Sequence, residues 1–314
     1  MPDSQQGATG AADMNEAGVD KGLLVTAWAT ILVVGLFRIV AQEIFHLTLS
    51  ETWRLGISAL IVITGLAATY LWPAIRSLRP FYGLFTVLVG AQWLVYTRID
   101  ALPIYRRWLN APSFNTYMLA EQSLSLLVTL IVIAFLFIVH KRREAFFLVR
   151  GDVAAPVEPV KWLGVKAGQT WRTFGRAFAI YLSLGTLAFL IIAGRPPLDI
   201  VVKALPFLPA ILLAAVLNAF NEEMTYKASF LSVLESAVGK QQALWLMAAF
   251  FGIMHFYGVP YGVIGVLLAT FLGWLLGKSM LETRGVFWAW FLHFLQDVWI
   301  FAFLAIGSIT PGGQ

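Results

Sequence analysis

The sequence contains no cysteine among its 314 residues, which excludes disulfide bridges, thiolate metal centres and a cysteine nucleophile while leaving the compartment open. Charge is scarce as well. Asp, Glu, Lys and Arg make up 12% of the chain against 59% hydrophobic residues, and the mean hydropathy is +0.78. Such values exclude an ordinary soluble globular domain, because water cannot be the main solvent of such a surface. The alternation of apolar and polar residues that marks barrel strands is also missing, so a transmembrane β-barrel is excluded. No internal repeat, heptad pattern or low-complexity run is present.

What is there is a series of long apolar runs. Stretches free of Asp, Glu, Lys and Arg extend from Leu55 to Ile75, Pro80 to Thr97, Gln122 to Val139, Ala177 to Gly194 and Ala204 to Asn221. Each is long enough to cross about 30 Å of hydrocarbon as a helix. The longest run, Gln241 to Gly277, has a Tyr257-Gly258-Val259-Pro260-Tyr261-Gly262 centre that reads as a turn between two spans. A first span near Gly22 to Phe45, which carries Arg38, and a last near Val286 to Ile306 complete the set. The expected fold is all-α, a polytopic transmembrane helical bundle of about eight to nine membrane-spanning helices.

Basic residues give the orientation. Lys141, Arg142, Arg143, Arg150, Lys161, Lys166 and Arg172 crowd one connection, which the positive-inside rule places in the cytoplasm together with the N-terminus. The net charge of +5 then needs no nucleic acid, since basic loops beside anionic lipid account for it. Residues 1–21 lack a basic start followed by an apolar core and read as a disordered cytoplasmic tail rather than a signal peptide. The expected organisation continues with N-terminal transmembrane helices over 22–140, a basic cytoplasmic loop over 141–171 and a C-terminal transmembrane core over 172–314. The lack of organelle signals fits a prokaryotic plasma membrane.

Chemistry is sought where ionisable residues stand at membrane depth, because burying them is costly unless they are paired or in use. Three places qualify. In Asn221-Glu222-Glu223-Met224-Thr225-Tyr226-Lys227, Glu223 and Lys227 share a helix face, while Glu222 points about 100° away and is left for other work. His255, in Phe251-Gly252-Ile253-Met254-His255, lies inside the longest uncharged run. His293 and Asp297 stack one turn apart in the last span. Two Glu, two His and one Asp on successive helical segments form the inventory of an acid–base site that handles water. The alternative is metal assistance, with His255, His293 and Glu222 as ligands of a zinc ion.

The order Glu-Glu-x-x-x-Lys, Phe-x-x-x-His, His-x-x-x-Asp resembles the CAAX protease and bacteriocin-processing family (type II CAAX endopeptidases) of intramembrane proteases, over about residues 200–305. The resemblance implies that Glu222 is the general base for an attacking water and His255 its partner. It places His293 and Asp297 on the oxyanion side, and makes Glu223, paired with Lys227, a supporting carboxylate; Phe251 is the motif's second fixed position. It implies a membrane-embedded or lipid-linked protein or peptide as substrate, with no cofactor favoured and zinc open as the alternative. Lys227 stands where the family commonly has Arg, and Ala228 where it has Gly. The lysine keeps the charge and loses the bidentate fork.

Each motif also has a plainer reading: an interfacial salt bridge for Glu223 with Lys227, a histidine bridging two core helices for His255, and a packing pair for His293 with Asp297. These would have to hold jointly. Two other functions use the same inventory, a proton-coupled transporter and a catalytically inert scaffold or immunity protein of the same fold. A transporter calls for a second acidic cluster in an inverted repeat, and the N-terminal half has none. Twelve tryptophans and 24 phenylalanines read as belt and lipid-facing residues, with Trp288, Trp290 and Trp299 as packing.

Overall fold

The computed structural model describes residues 20–309; residues 1–19 of the tail expected over 1–21 lie outside them, and Asp20 and Lys21 open the first helix. The described chain is mostly helical, with no strand among the described residues beyond two isolated bridges in the 156–170 stretch. Helix α1 (Lys21–Ile39) starts on Asp20, whose carboxylate accepts from Gly22 N at 2.7 Å. That satisfies one of the free amides of a first turn. Helix α2 (Glu51–Leu71) begins on Ser50 and ends before Pro73, where the ring disfavours a helical residue ahead of it. Helices α3 (Arg79–Leu94), α4 (Pro103–Leu109) and α5 (Phe114–His140) follow, the last closed by Lys141 in the left-handed region. After an irregular connection come α6 (Trp171–Gly194), opened by a Thr170/Thr173 capping box, and α7 (Leu198–Ala204). Then α8 (Leu208–Glu222), a wider π-type turn over Glu223–Ala228 and α9 (Ser229–Val238) run on as one rod. Helices α10 (Lys240–Met254), α11 (Val263–Thr283) and α12 (Phe287–Ile309) close the chain.

Among the described residues eight helices are long and apolar enough to cross a bilayer, so the chain is a polytopic helical membrane protein. Their outward faces are apolar, with Leu60 70% and Ile138 75% exposed, as lipid-facing side chains are. The 241–277 run splits where the sequence indicates, at the 255–262 turn. Its first half is the 15-residue α10, about 22 Å long and too short to count as a full span.

The helices group into two compact units. One takes the described chain as far as Val89 together with Ser229–Trp274, and the other takes Gly90–Ala228 together with the described chain from Leu275 onward. Within the first, α1 packs on α10, and a ring cluster of Phe81, Phe85, Phe230 and Phe250 fills the core. A Cβ added at Gly252 would lie 1.9 Å from Thr270 Oγ1, so only glycine permits this approach of α10 to α11. Arg38 finds its partners locally. Its Nε donates to Gln42 Oε1 at 2.8 Å and its guanidinium lies 4.3 Å from the Tyr257 ring centre.

Within the second unit, α8 packs between α5 and α12, and α6 lies along α12. Small residues at Ala214, Ala215 and Ala305 let Met118, Ile211 and Phe301 interlock. The connection over 141–171 is closely packed here, with Phe146, Phe147, Val157 and Val165 buried. Asp152 N donates to Thr283 O at 2.8 Å and Trp288 Nε1 to Val153 O at 3.0 Å. Gly151 has φ +73 and a Cβ there would lie 2.5 Å from Thr283 O, so glycine is required on both counts. The three tryptophans of the last span all bond within the protein, Trp290 to Val216 O and Trp299 to Ser183 Oγ.

Candidate active site

The second unit brings together four of the five candidate catalytic residues and Lys227. The rod that carries them is fixed to α5 by a polar seam. Asn221 Nδ2 donates to Gln122 O at 3.1 Å, Thr129 Oγ1 donates to Asn221 Oδ1 at 3.2 Å, and the Thr129 and Thr225 hydroxyls share a bond at 2.9 Å. Those contacts bracket the start of the π-type turn, a form that recurs at functional sites because it re-aims side chains within a helix.

Glu223 and Lys227 are both fully buried and pair at 2.8 Å. Glu223 Oε1 faces the ammonium as a hydrogen-bond acceptor. The 2.6 Å contact between His293 Nδ1 and Glu223 Oε1 is therefore an Nδ1–H donating to the carboxylate, a tautomer inferred from its partner. That fixes the ring so that Nε2 faces two more carboxyl groups, lying 3.6 Å from Glu222 Oε2 and 3.6 Å from Asp297 Oδ1. His293 and Asp297 are buried, while the Glu222 side chain keeps 22% of its surface open. Glu223 thus does more than balance Lys227: it aims the imidazole.

Asn218 completes the cluster, and motif reading had passed over it. One turn before Glu222 on α8, its Nδ2 donates to Asp297 Oδ2 at 3.1 Å and to Glu222 Oε1 at 3.4 Å. Its only signal in the sequence was an amide inside an apolar run. Three carboxyl groups with one lysine form an arrangement that low dielectric tolerates only with further compensation, which hydrogen bonds from Asn218 and His293 supply.

His255 lies in the first unit, at the C-terminal cap of α10. Its Nδ1 stands 2.7 Å from Phe251 O, and the two rings are 4.3 Å apart. A carbonyl oxygen only accepts, so Nδ1 carries a proton and donates to it. Phe251 thereby orients His255 through its backbone and is itself backed by Gly273, where a Cβ would lie 3.0 Å from its ring. The turn beyond is tied down by Tyr261, whose hydroxyl donates to Glu43 at 2.8 Å; this bond pushes the Tyr261 phenol up.

Among the described residues no group of three or more His, Cys, Asp and Glu side chains is arranged to hold a metal ion. In the second unit Glu223 takes Nδ1 of His293 by a hydrogen bond, and Glu222 and Asp297 lie within ion-pairing distance of its Nε2.

Residues 204–299 match the model of a protein family described as Type II CAAX prenyl endopeptidase Rce1-like. No curated protein and no solved structure gives a significant match. The matched segment, just under a third of the chain, contains every candidate residue from Asn218 to Asp297. It bears out the resemblance drawn from the three motifs and, at the level of the family, supports an intramembrane endopeptidase.

Proposed function

We propose that this protein hydrolyses a peptide bond of a membrane-embedded or lipid-linked protein, with Glu222 as the base that activates water. The observation that carries this reading is the buried ring in which His293 joins Glu222 and Asp297 on one nitrogen and Glu223 on the other. A structural ion pair has no need of a second histidine nitrogen aimed at two acids. Glu222 is also the most open carboxyl group of the cluster, as a group that must meet water has to be.

In this mechanism Glu222 takes a proton from water, and the remaining hydroxide forms a bond to the substrate carbonyl carbon while the C=O electron pair moves onto oxygen. His293, in the form with both ring N–H groups present, donates to that oxyanion, with Asp297 beside it. Collapse of the tetrahedral intermediate breaks the C–N bond, and the proton held by Glu222 passes to the departing amine. Glu222 returns as a carboxylate, and a new carboxyl end and a new amino end leave. Glu223 and Lys227 keep the imidazole aimed. The motif resemblance adds His255, whose ring Phe251 orients, to the residues this reaction needs. Side chains and water suffice for this sequence of steps, without a cofactor.

The setting that goes with this reading is a prokaryotic plasma membrane with the N-terminus in the cytoplasm, which puts the basic 141–171 connection on the cytoplasmic side. The test uses purified protein in lipid vesicles, in oxygen-18 water, with two peptide probes. One ends in an S-farnesyl cysteine followed by three residues; the other is an unlipidated transmembrane helix peptide. Cleavage should place one heavy oxygen in the new carboxyl end and should be lost in His293→Ala and His255→Ala. Absence of any cleavage by the folded wild-type protein, or cleavage at the wild-type rate by both variants, contradicts the reading.

A further inference from the structure

The ring around His293 closes through a residue that the three motifs leave out. On one side the imidazole Nε2 faces Glu222 Oε2 and Asp297 Oδ1; on the other the Asn218 amide faces Glu222 Oε1 and Asp297 Oδ2. Each of the two acids therefore accepts a hydrogen bond from the amide on one oxygen and turns its other oxygen to the imidazole at 3.6 Å. An amide NH₂ has two donors, and here both point at carboxyl groups that approach from different helices, Glu222 from α8 and Asp297 from α12. Without the amide, two like-charged groups would face each other with only His293 between them.

We propose that Asn218 is a positioning residue for the hydrolysis: its amide clamps Asp297 and Glu222 together and so turns their other oxygens toward His293. The inference rests on the function proposed above and adds to it one more polar side chain, one that acts through Glu222 and Asp297 rather than on the substrate. The charged and titratable groups around the clamp are Glu222, Glu223 and Lys227 on its own rod, Asp297 and His293 on α12, and Tyr96, which interacts with Glu222 as well as with Tyr226 and Glu121. None of them offers an amide donor in place of Asn218. The arrangement also accounts for an acid at position 297 in the last motif, because the amide that pairs with it has its place on α8.

Relocating the amide tests this. Cleavage of the farnesylated peptide in vesicles is measured for wild type, Asn218→Ala, Asn218→Asp, Asp297→Asn, the exchange variant Asn218→Asp with Asp297→Asn, and Glu222→Gln, with kcat normalised to folded protein. Asn218→Ala should lower kcat about 10- to 100-fold, as small misplacements of reacting groups do, with KM changed less than about threefold. Asn218→Asp, which sets a third acid against the other two, should lower it at least as far. The exchange variant restores one amide and one acid across the α8–α12 contact and should recover at least about tenfold over Asn218→Asp. A kcat within twofold of wild type in Asn218→Ala, or no recovery in a folded exchange variant, overturns the clamp while Glu222→Gln remains inactive. Should Asn218→Ala fail to fold, the exchange variant against Asn218→Asp decides alone. Wild-type cleavage by Glu222→Gln overturns the reading of the site itself and the clamp with it.

Discussion

Two buried Glu–Lys pairs, each four residues apart on a helix, serve different ends in this molecule. Glu223 and Lys227 lie in the rod of α8, both fully buried, and their third partner is the ring of His293. Lys278 and Glu282 lie at the end of α11, almost as deeply buried, and their third partner is the Trp171 indole, which donates to Glu282 at 2.7 Å. The carboxylate of the first pair aims the imidazole of His293, whose other nitrogen faces two more acids. That of the second anchors the start of α6 and, through Lys278 and Glu158 at 3.8 Å, the connection before it. A buried ion pair is weak evidence for function or stability by itself. What separates the two is whether the third partner has a further nitrogen to offer.

Breaking the two pairs in parallel sharpens this. The largest difference should appear in catalysis. Lys227→Met, which keeps the bulk and removes the charge, should lower kcat about 100-fold or more by loosening the aim of His293, whereas Lys278→Met should leave it within about threefold. Lys227→Arg should recover most of the loss, since the guanidinium keeps the charge and adds a fork for Glu223. Equal losses in the two methionine variants would remove the distinction.

The hydrocarbon runs made most of the fold legible, because a span must be apolar over its whole length whatever its neighbours do. Composition could not show that the 241–277 run holds one short and one long helix. It also could not show that α11 continues past Gly277 through Lys278 and Glu282, where pairing with Trp171 and Glu158 makes charge tolerable. At the site, the Glu223–Lys227 pair was legible from helical spacing. The joining of His293 to three acids was not, since it depends on how α8 and α12 approach. Asn218 escaped because an uncharged amide does not interrupt an apolar run.

Stability comes next in size. Either methionine variant leaves a buried carboxylate without its cation and should lose about 3 kcal/mol or more, read as a lower midpoint in detergent-denaturant unfolding. Trp171→Phe removes a single hydrogen bond to a charged group and should cost roughly 1.5–3 kcal/mol. It should also speed proteolysis between residues 151 and 170 without altering kcat. Glu158→Gln, at a carboxylate 61% exposed, should change stability by less than about 1 kcal/mol; a larger loss would mean that the connection is clasped by more than the Trp171 contact.

The central claim is that Glu222 is the base, and single-turnover cleavage of the farnesylated peptide by Glu222→Gln tests it most directly. The account predicts that the variant unfolds at the same denaturant concentration as wild type within error and cleaves about 100- to 10,000-fold more slowly, the range set by losing a general base. A folded Glu222→Gln protein that cleaves at the wild-type rate would contradict it.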